Sequence, residues 1–171
     1  MVKLQVLVVT CLTNVLAIDY HPCSYTSYDR TVNCEGTVAL QAVGAFHRNR
    51  NDSSLTRIRL AKMEDMTDEL VAQIMDIVSV SAAESLVDIT MSHLPLLTKI
   101  PEGLNKFKLT NFAFYYNDGI KTIQSNSIYS SKLSTLYVYS NANLEVIEPG
   151  AFQGESTGSV WLFDDTDCLH L

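Results

Sequence analysis

The stretch that most constrains the fold is Lys132–Phe152, because its pattern of apolar residues recurs along the chain at a nearly constant spacing. Within it, the apolar positions are Leu133, Leu136, Val138, Leu144, Ile147 and Phe152. About 24 positions earlier the same chemical types follow in the same order; they are Leu109, Phe112, Phe114, Asn117, Ile120, Ile123 and Ile128. In the later copy, Asn141 matches Asn117 and stands at the bend after the strand. Such a period indicates a stack of short coils that bury their apolar side chains against one another.

Further copies extend this period in both directions. One lies about 23 positions further back, with Leu94 in place of the asparagine, and consists of Leu86, Ile89, Met91, Leu97 and Ile100. An earlier copy contains Leu55, Ile58 and Leu60, and an incomplete one begins with Val160 and Leu162. We also interpret Val38–Phe46 as a degenerate coil, because it resembles the end of the Lys132–Phe152 copy. The period therefore predicts about five repeats over residues 55–171.

The repeat at Leu55 is longer than its neighbours, and a helix explains the extra residues. Its apolar residues recur at helical spacing behind the capping candidates Asp65 and Thr67, and they are Met66, Leu70, Ile74, Ile77 and Val78. In later repeats the corresponding segments are short and polar. We expect loops or brief helical turns there.

Residues 1–17 have the composition of a secretory signal peptide. Lys3 precedes an apolar run, and the small residues Val15 and Ala17 suit cleavage by signal peptidase. The run is too short to span a bilayer, and no later run approaches that length. We therefore expect a secreted mature chain that begins at Ile18.

A secreted compartment makes two covalent modifications plausible. Cys23 and Cys34 flank a short segment before the first clear strand, and we expect them to form a disulfide. A metal site is disfavoured, since the sequence has neither a CxxC pair nor a second ligand pair. Asn51 begins the sequon Asn51-Asp52-Ser53 in a polar loop, which makes it a candidate glycosylation site.

Strand residues that alternate with the buried ones should face outward on the concave side of a parallel stack. In chain order they are Arg57, Arg59, Asp88, Thr90, Asn111, Ala113, Tyr115, Thr135, Tyr137, Tyr139, Ser159, Trp161 and Phe163. We predict a protein-recognition patch whose anchors are Tyr115, Tyr137, Tyr139, Trp161 and Phe163, because Tyr and Trp dominate binding hot spots. The alternative is that these aromatic residues only stabilise their cross-strand neighbours.

Other classes of function are disfavoured. The net charge of −7 argues against nucleic acid, since phosphate binding needs a basic face. The four histidines are scattered, no metal site or cofactor is predicted, and the acidic residues near the carboxyl end lack the glycine and glutamate of an EF-hand. Ser156 lies in a GxSxG motif, with Asp164 and His170 after it. That motif requires a turn from a strand into a helix, whereas here a loop precedes the serine and a strand follows.

The residues LYVYSNANLEVIEPGAF and FAFYYNDGIKTIQSNSI resemble the irregular extracellular leucine-rich repeats of arthropod secreted proteins. They are similar in particular to the non-catalytic subunit type of a secreted shrimp luciferase, and glycoprotein-hormone receptor ectodomains have similar coils. The resemblance covers Leu55–Leu171. It implies an α/β leucine-rich-repeat solenoid with a parallel concave β-sheet and a mostly irregular convex side. It also implies that residues 18–54 form a disulfide cap over the open end of the repeats at residues 55–171.

We therefore expect a secreted, non-enzymatic binding module that recognises an extracellular protein through its concave face. The alternatives are a non-catalytic accessory subunit of a secreted enzyme complex and a fragment of a receptor-like ectodomain. The last repeat is incomplete, and its frame makes Cys168 either a small core residue or a disulfide partner. An apolar layer exposed at that end would favour a dimer or a hetero-oligomer.

Overall fold

A computed structural model describes residues 18–101, 103–153 and 159–163. The predicted signal peptide, Ser156, Asp164, Cys168 and His170 lie outside these ranges. The strands are β1 (Ser24–Thr26), β2 (Thr31–Glu35), β3 (Arg57–Ala61), β4 (Asp88–Ser92), β5 (Asn111–Tyr115), β6 (Thr122–Ile123), β7 (Ile128–Tyr129), β8 (Thr135–Tyr139), β9 (Val146–Ile147), β10 (Phe152–Gln153) and β11 (Ser159–Phe163). The α-helices are α1 (Ala39–Arg48) and α2 (Asp68–Ser79), and a 3₁₀ turn spans Leu104–Lys106.

The principal sheet has seven strands in the order β1-β2-β3-β4-β5-β8-β11. Its neighbours pair in parallel, except for the antiparallel hairpin β1–β2. The register places Phe112 opposite both Ile89 and Leu136, which are the residues that the sequence period aligns with it. The fold is therefore mixed α/β with a mostly parallel central sheet, as the sequence predicted.

One face of this sheet is buried because apolar residues alternate with exposed or half-buried ones along each strand. The core positions predicted outside helix α2 in the three repeats before Lys132 are all buried, whereas Leu70 and Ile77 of the predicted helical stripe are half-buried. In the last complete repeat Leu136, Val138 and Leu144 are buried, whereas Ile147 and Phe152 are half-buried. The apolar side chains of the core are thus buried most completely along β3, β4 and β5.

Both helices pack beside this core, and the sequence predicted only one of them. Helix α2 begins after Thr67, whose side chain accepts the Leu70 N–H at 3.4 Å, so the predicted helix and its cap are confirmed. Helix α1 packs against α2 in the segment that we interpreted as a degenerate coil. That interpretation was wrong for the local conformation, because Ala39, Ala42, Ala45 and Phe46 form a buried helical stripe.

The segments after β5 and β8 are more regular than predicted. Instead of loops or helical turns alone, they form two short parallel pairs, β6–β9 and β7–β10. The Ser127 N–H donates to the Gln124 carbonyl at 3.2 Å, which closes the turn between β6 and β7. Strands of two residues are too short to show an alternating apolar pattern that can be recognised in the sequence.

The amino-terminal hairpin is fixed to the helices and to the sheet. The predicted disulfide joins Cys23 to Cys34, and Cys34 is also a buried residue of β2. Tyr20 packs edge-on against Phe46, with a centroid distance of 5.4 Å, and its hydroxyl donates to Asp52 at 3.2 Å. Burial, reinforced by the Asp52 carboxylate, raises the pKa of Tyr20 and so keeps this donor protonated.

In the principal sheet, a residue with a left-handed backbone follows each of the strands β2, β3, β4, β5 and β8. These residues are Gly36, Lys62, His93, Tyr116 and Ser140, with φ between 51° and 62°. After the four later strands, this change of direction buries the residue that follows the left-handed one. The buried residues are Met63, Leu94, Asn117 and Asn141. A left-handed residue that is not glycine costs roughly 1–2 kcal/mol, so the surrounding structure must impose this turn.

Two buried asparagines connect these turns from strand to strand. The Leu94 N–H donates to Asn117 Oδ1 at 3.1 Å, and Asn117 Nδ2 donates to the Met91 carbonyl at 3.1 Å. The Asn117 N–H in turn donates to Asn141 Oδ1 at 3.0 Å, and Asn141 Nδ2 donates to the Phe114 carbonyl at 3.2 Å. Each amide thereby provides hydrogen-bond partners for backbone groups inside the core.

Replacement of Asn117 by leucine should lower the free energy of unfolding by about 3 kcal/mol, because the Leu94 N–H and the Met91 carbonyl lose their partner inside the core. Urea denaturation of both proteins measures the difference. Asn143→Ala is the matched control, since this exposed amide donates one hydrogen bond, at 2.7 Å to the Asp118 carbonyl. Equal losses in the two variants would contradict the role given to Asn117.

Gly119→Ala and Gly44→Ala should change stability in opposite directions. A Cβ at Gly119 would lie 2.5 Å from the carbonyl oxygens of Pro95 and Leu97, so we expect a loss of about 2 kcal/mol. A Cβ at Gly44 in α1 would contact only the Arg48 side chain at 3.6 Å, and the helix should gain about 0.5–1 kcal/mol. Thermal unfolding of both variants tests this, and a stable Gly119→Ala protein would refute the close approach.

Candidate binding surface on the open face of the sheet

The exposed or half-buried residues of β2, β3, β4, β5 and β8, together with Lys62 directly after β3, form the surface that we call the open face. In these strands the alternate positions point away from the core, as the burial pattern shows. Among the described side chains this confirms the outward positions predicted for Arg57 to Tyr139. The register then fixes which of these residues are neighbours across the sheet.

The half of the open face on β2, β3 and β4 is charged. Arg57 lies 3.5 Å from Asp29 and 3.8 Å from Asp88, and Lys62 lies 2.7 Å from Glu35. Burial raises the pKa of Asp88, although the Arg57 charge opposes this shift. The Lys62 hydrogen bond and charge lower the pKa of Glu35. The Arg57 pairs are partly exposed, so each is worth at most about 1 kcal/mol.

The half of the open face on β5 and β8 carries no charged side chain and is rich in tyrosine. Its residues are Asn111, Ala113, Tyr115, Thr135, Tyr137 and Tyr139. The rings of Tyr115 and Tyr139 stack with centroids 4.7 Å apart and an interplanar angle of 5°. Tyr137 has 41% of its surface exposed, which leaves it accessible to a partner.

Two further aromatic residues join this tyrosine pair at the ends of the strands. Tyr116 packs edge-on against Tyr115 at 5.7 Å and against Tyr139 at 6.0 Å. The His93 ring lies 4.7 Å from Tyr116. We call His93, Tyr115, Tyr116 and Tyr139 the aromatic cluster. Sequence reasoning missed His93 and Tyr116 because each directly follows the last residue of its strand, where alternation no longer assigns a face.

Burial raises the pKa of Tyr139, and the neighbouring phenols of Tyr115 and Tyr116 add to the effect. Tyr139 therefore stays neutral well above physiological pH, and its hydroxyl can donate a hydrogen bond. The cluster combines a flat apolar surface with polar hydroxyl groups, which suits contact with a polypeptide surface.

The remaining predicted anchors extend this row in the backbone register. Trp161 is aligned with Tyr137, and Phe163 is aligned with Tyr139, through the pairing of β11 with β8. Their side chains lie outside the described residues. The structure thus brings Tyr115 and Tyr139 into contact and places Tyr137 beside them on the same face.

The other predicted sites lie away from this face or have no counterpart in the described ranges. Asn51 is exposed in the turn after α1, where a glycan could be attached. Within residues 18–101, 103–153 and 159–163, no group of three His, Cys, Asp or Glu residues is arranged to hold a metal ion. No helix in those ranges has the length and apolar composition needed to cross a membrane.

No protein-family model, no curated protein and no solved structure matches this chain.

Tyr116→Gly should be more stable than Tyr116→Ala by about 1 kcal/mol, because glycine adopts the left-handed backbone of this position without a steric penalty. The same pair of substitutions at Tyr115, in the extended β5, should give the reverse order. Urea denaturation of the four variants provides the measurement. If alanine were the better residue at both positions, the left-handed turn at Tyr116 would be excluded.

Proposed function

We propose that this chain is a secreted leucine-rich-repeat binding module that recognises an extracellular protein through the open face of its sheet. The observation that carries the proposal is the uncharged tyrosine half of that face. Tyr115, Tyr137 and Tyr139 gather there, and we propose Trp161 and Phe163 as further anchors on the adjacent strand. Rigid aromatic side chains of this kind supply much of the contact energy in protein interfaces.

The repeat architecture is part of the same proposal. Successive parallel strands pair equivalent residues of the sequence period, and buried asparagines join the turns after the strands. Both features support a stack of leucine-rich repeats with the open face on its concave side. Residues 18–54 would then act as the cap, because the β1–β2 hairpin and α1 cover the end of the core.

Secretion is supported by the covalent chemistry of the amino-terminal region. The Cys23–Cys34 disulfide suits an oxidising compartment, and the signal-peptide pattern at residues 1–17 supplies the route to it. We propose Asn51 as a glycosylation site, because its sequon lies in an exposed turn and its side chain is accessible.

We propose binding rather than a chemical step, since tyrosine and threonine side chains on an open sheet face provide contact area rather than an enclosed reaction site. Contact is also the role expected of an accessory subunit, so both versions of the function use the same surface.

Tyr137→Ala should reduce capture of extracellular proteins by the immobilised chain at least tenfold, since truncation of a hot-spot side chain costs about 2 kcal/mol or more. Capture from extracellular fluid, quantified by mass spectrometry, gives the measurement. Tyr129→Ala is the matched control, because Tyr129 has a similar exposure, 49% against 41%, but lies on β7, outside the principal sheet. Equal capture by the wild type and both variants would refute recognition through this face.

A further inference from the structure

The open face holds one arginine whose charge is not engaged in an ion pair. The register places Arg59 between Asn33 of β2 and Thr90 of β4, and its side chain is exposed. Arg57 and Lys62, the other cations of the face, are paired with carboxylates. Arg59 makes no ion pair or hydrogen bond with the part of the chain that the structure describes, although its charge acts on Glu35. Its guanidinium donors are therefore available to a partner.

The row of cross-strand neighbours that contains Arg59 also contains a small residue next to the tyrosines. From Arg59 the register leads through Thr90 to Ala113 and then to Tyr137. Ala113 presents only a methyl group, whereas Tyr115 on its own strand and Tyr137 on the next carry phenol rings. Ala113 therefore places only a methyl group next to two positions that carry aromatic side chains.

The distance between these two features restricts what can bind to both. Adjacent strands lie about 4.8 Å apart, so Ala113, two strands from Arg59, is roughly 10 Å away. An extended polypeptide advances about 3.1–3.4 Å per residue. Side chains two or three positions apart can span this interval once the length of the arginine side chain is included.

We propose that the open face binds an extended segment of a partner polypeptide with a carboxylate on Arg59 and an aromatic or branched aliphatic side chain on Ala113. This inference rests on the function proposed above and names the chemistry of the partner. Arginine binds carboxylates through two parallel hydrogen bonds, which gives direction as well as energy. A basic segment would meet the Arg59 charge and would find no carboxylate on the tyrosine half.

The net charge of the chain limits how acidic this segment can be. At −7, the protein repels long acidic tracts over most of its surface. Among the described side chains of the open face, Arg57 and Lys62 already have carboxylate partners. The segment should therefore carry one or two carboxylates close to its apolar anchor rather than a run of acidic residues.

The test is selection of a displayed library of random dodecapeptides on the folded chain, followed by titration of the enriched peptides. We expect enriched sequences with Asp or Glu two or three residues from an aromatic or branched aliphatic residue. Arg59→Ala should weaken their binding about tenfold or more, because a hydrogen bond to a charged group is lost. Ala113→Phe should weaken it as well, because a ring would occupy the position where the side chain of the bound segment packs. Arg50→Ala is the matched control, since Arg50 is exposed in the turn after α1.

A double-mutant cycle with Glu→Gln or Asp→Asn peptides completes the test. The amide peptide should bind the wild type as weakly as the acidic peptide binds Arg59→Ala, with little further loss when the two changes are combined. Enriched peptides that lack acidic residues, or that bind Arg59→Ala unchanged, would overturn the inference. If the affinity of such peptides still fell on replacement of Tyr137, recognition through the open face would be supported, and only the acidic partner would be excluded. If no enriched peptide depended on Tyr137 or Arg59, both proposals would fall.

Discussion

The hydrogen bonds of Asn117 and Asn141 are the interactions on which the rest of the structure depends most directly. A parallel strand that ends and turns back leaves backbone donors and acceptors inside the core, and each must find a partner there. The two amides supply those partners and link β4 to β5 and β5 to β8 in series. Because each amide oxygen accepts from the backbone of the preceding turn, an error in one strand's register would break bonds in two turns.

The left-handed residues at the strand ends connect this constraint to the surface. The turn that buries Leu94 and Asn117 also holds His93 and Tyr116 at the edge of the open face. Glycine would meet the backbone requirement at less cost, yet both positions carry an aromatic ring. Packing of the rings within the aromatic cluster, on Tyr115 and Tyr139, offsets part of the free-energy cost of the left-handed backbone. The same geometry thus supports the core and assembles the aromatic cluster.

The open face is divided between two kinds of chemistry by the order of its strands. Ion pairs on β2, β3 and β4 satisfy most of the charges and leave Arg59 as the unpaired cation among the described side chains of the open face. The strands β5 and β8 contribute tyrosines, small residues and hydroxyl groups instead. A surface that changes from charged to aromatic over a few strands can fix both the position and the direction of a bound polypeptide.

The sequence by itself determined the spacing of the strands, their buried positions, helix α2 with its Thr67 cap, the Cys23–Cys34 pair and the outward placement of Tyr115, Tyr137 and Tyr139. These features follow from local periodicity and from the secretory pattern, which are written along the chain. Only the tertiary structure decided that helix α1 (Ala39–Arg48) follows Val38, that His93 and Tyr116 join the tyrosines, and that Arg59 remains unpaired two strands from Ala113. Those outcomes depend on contacts between residues far apart in the chain, which the register of the parallel strands brings together.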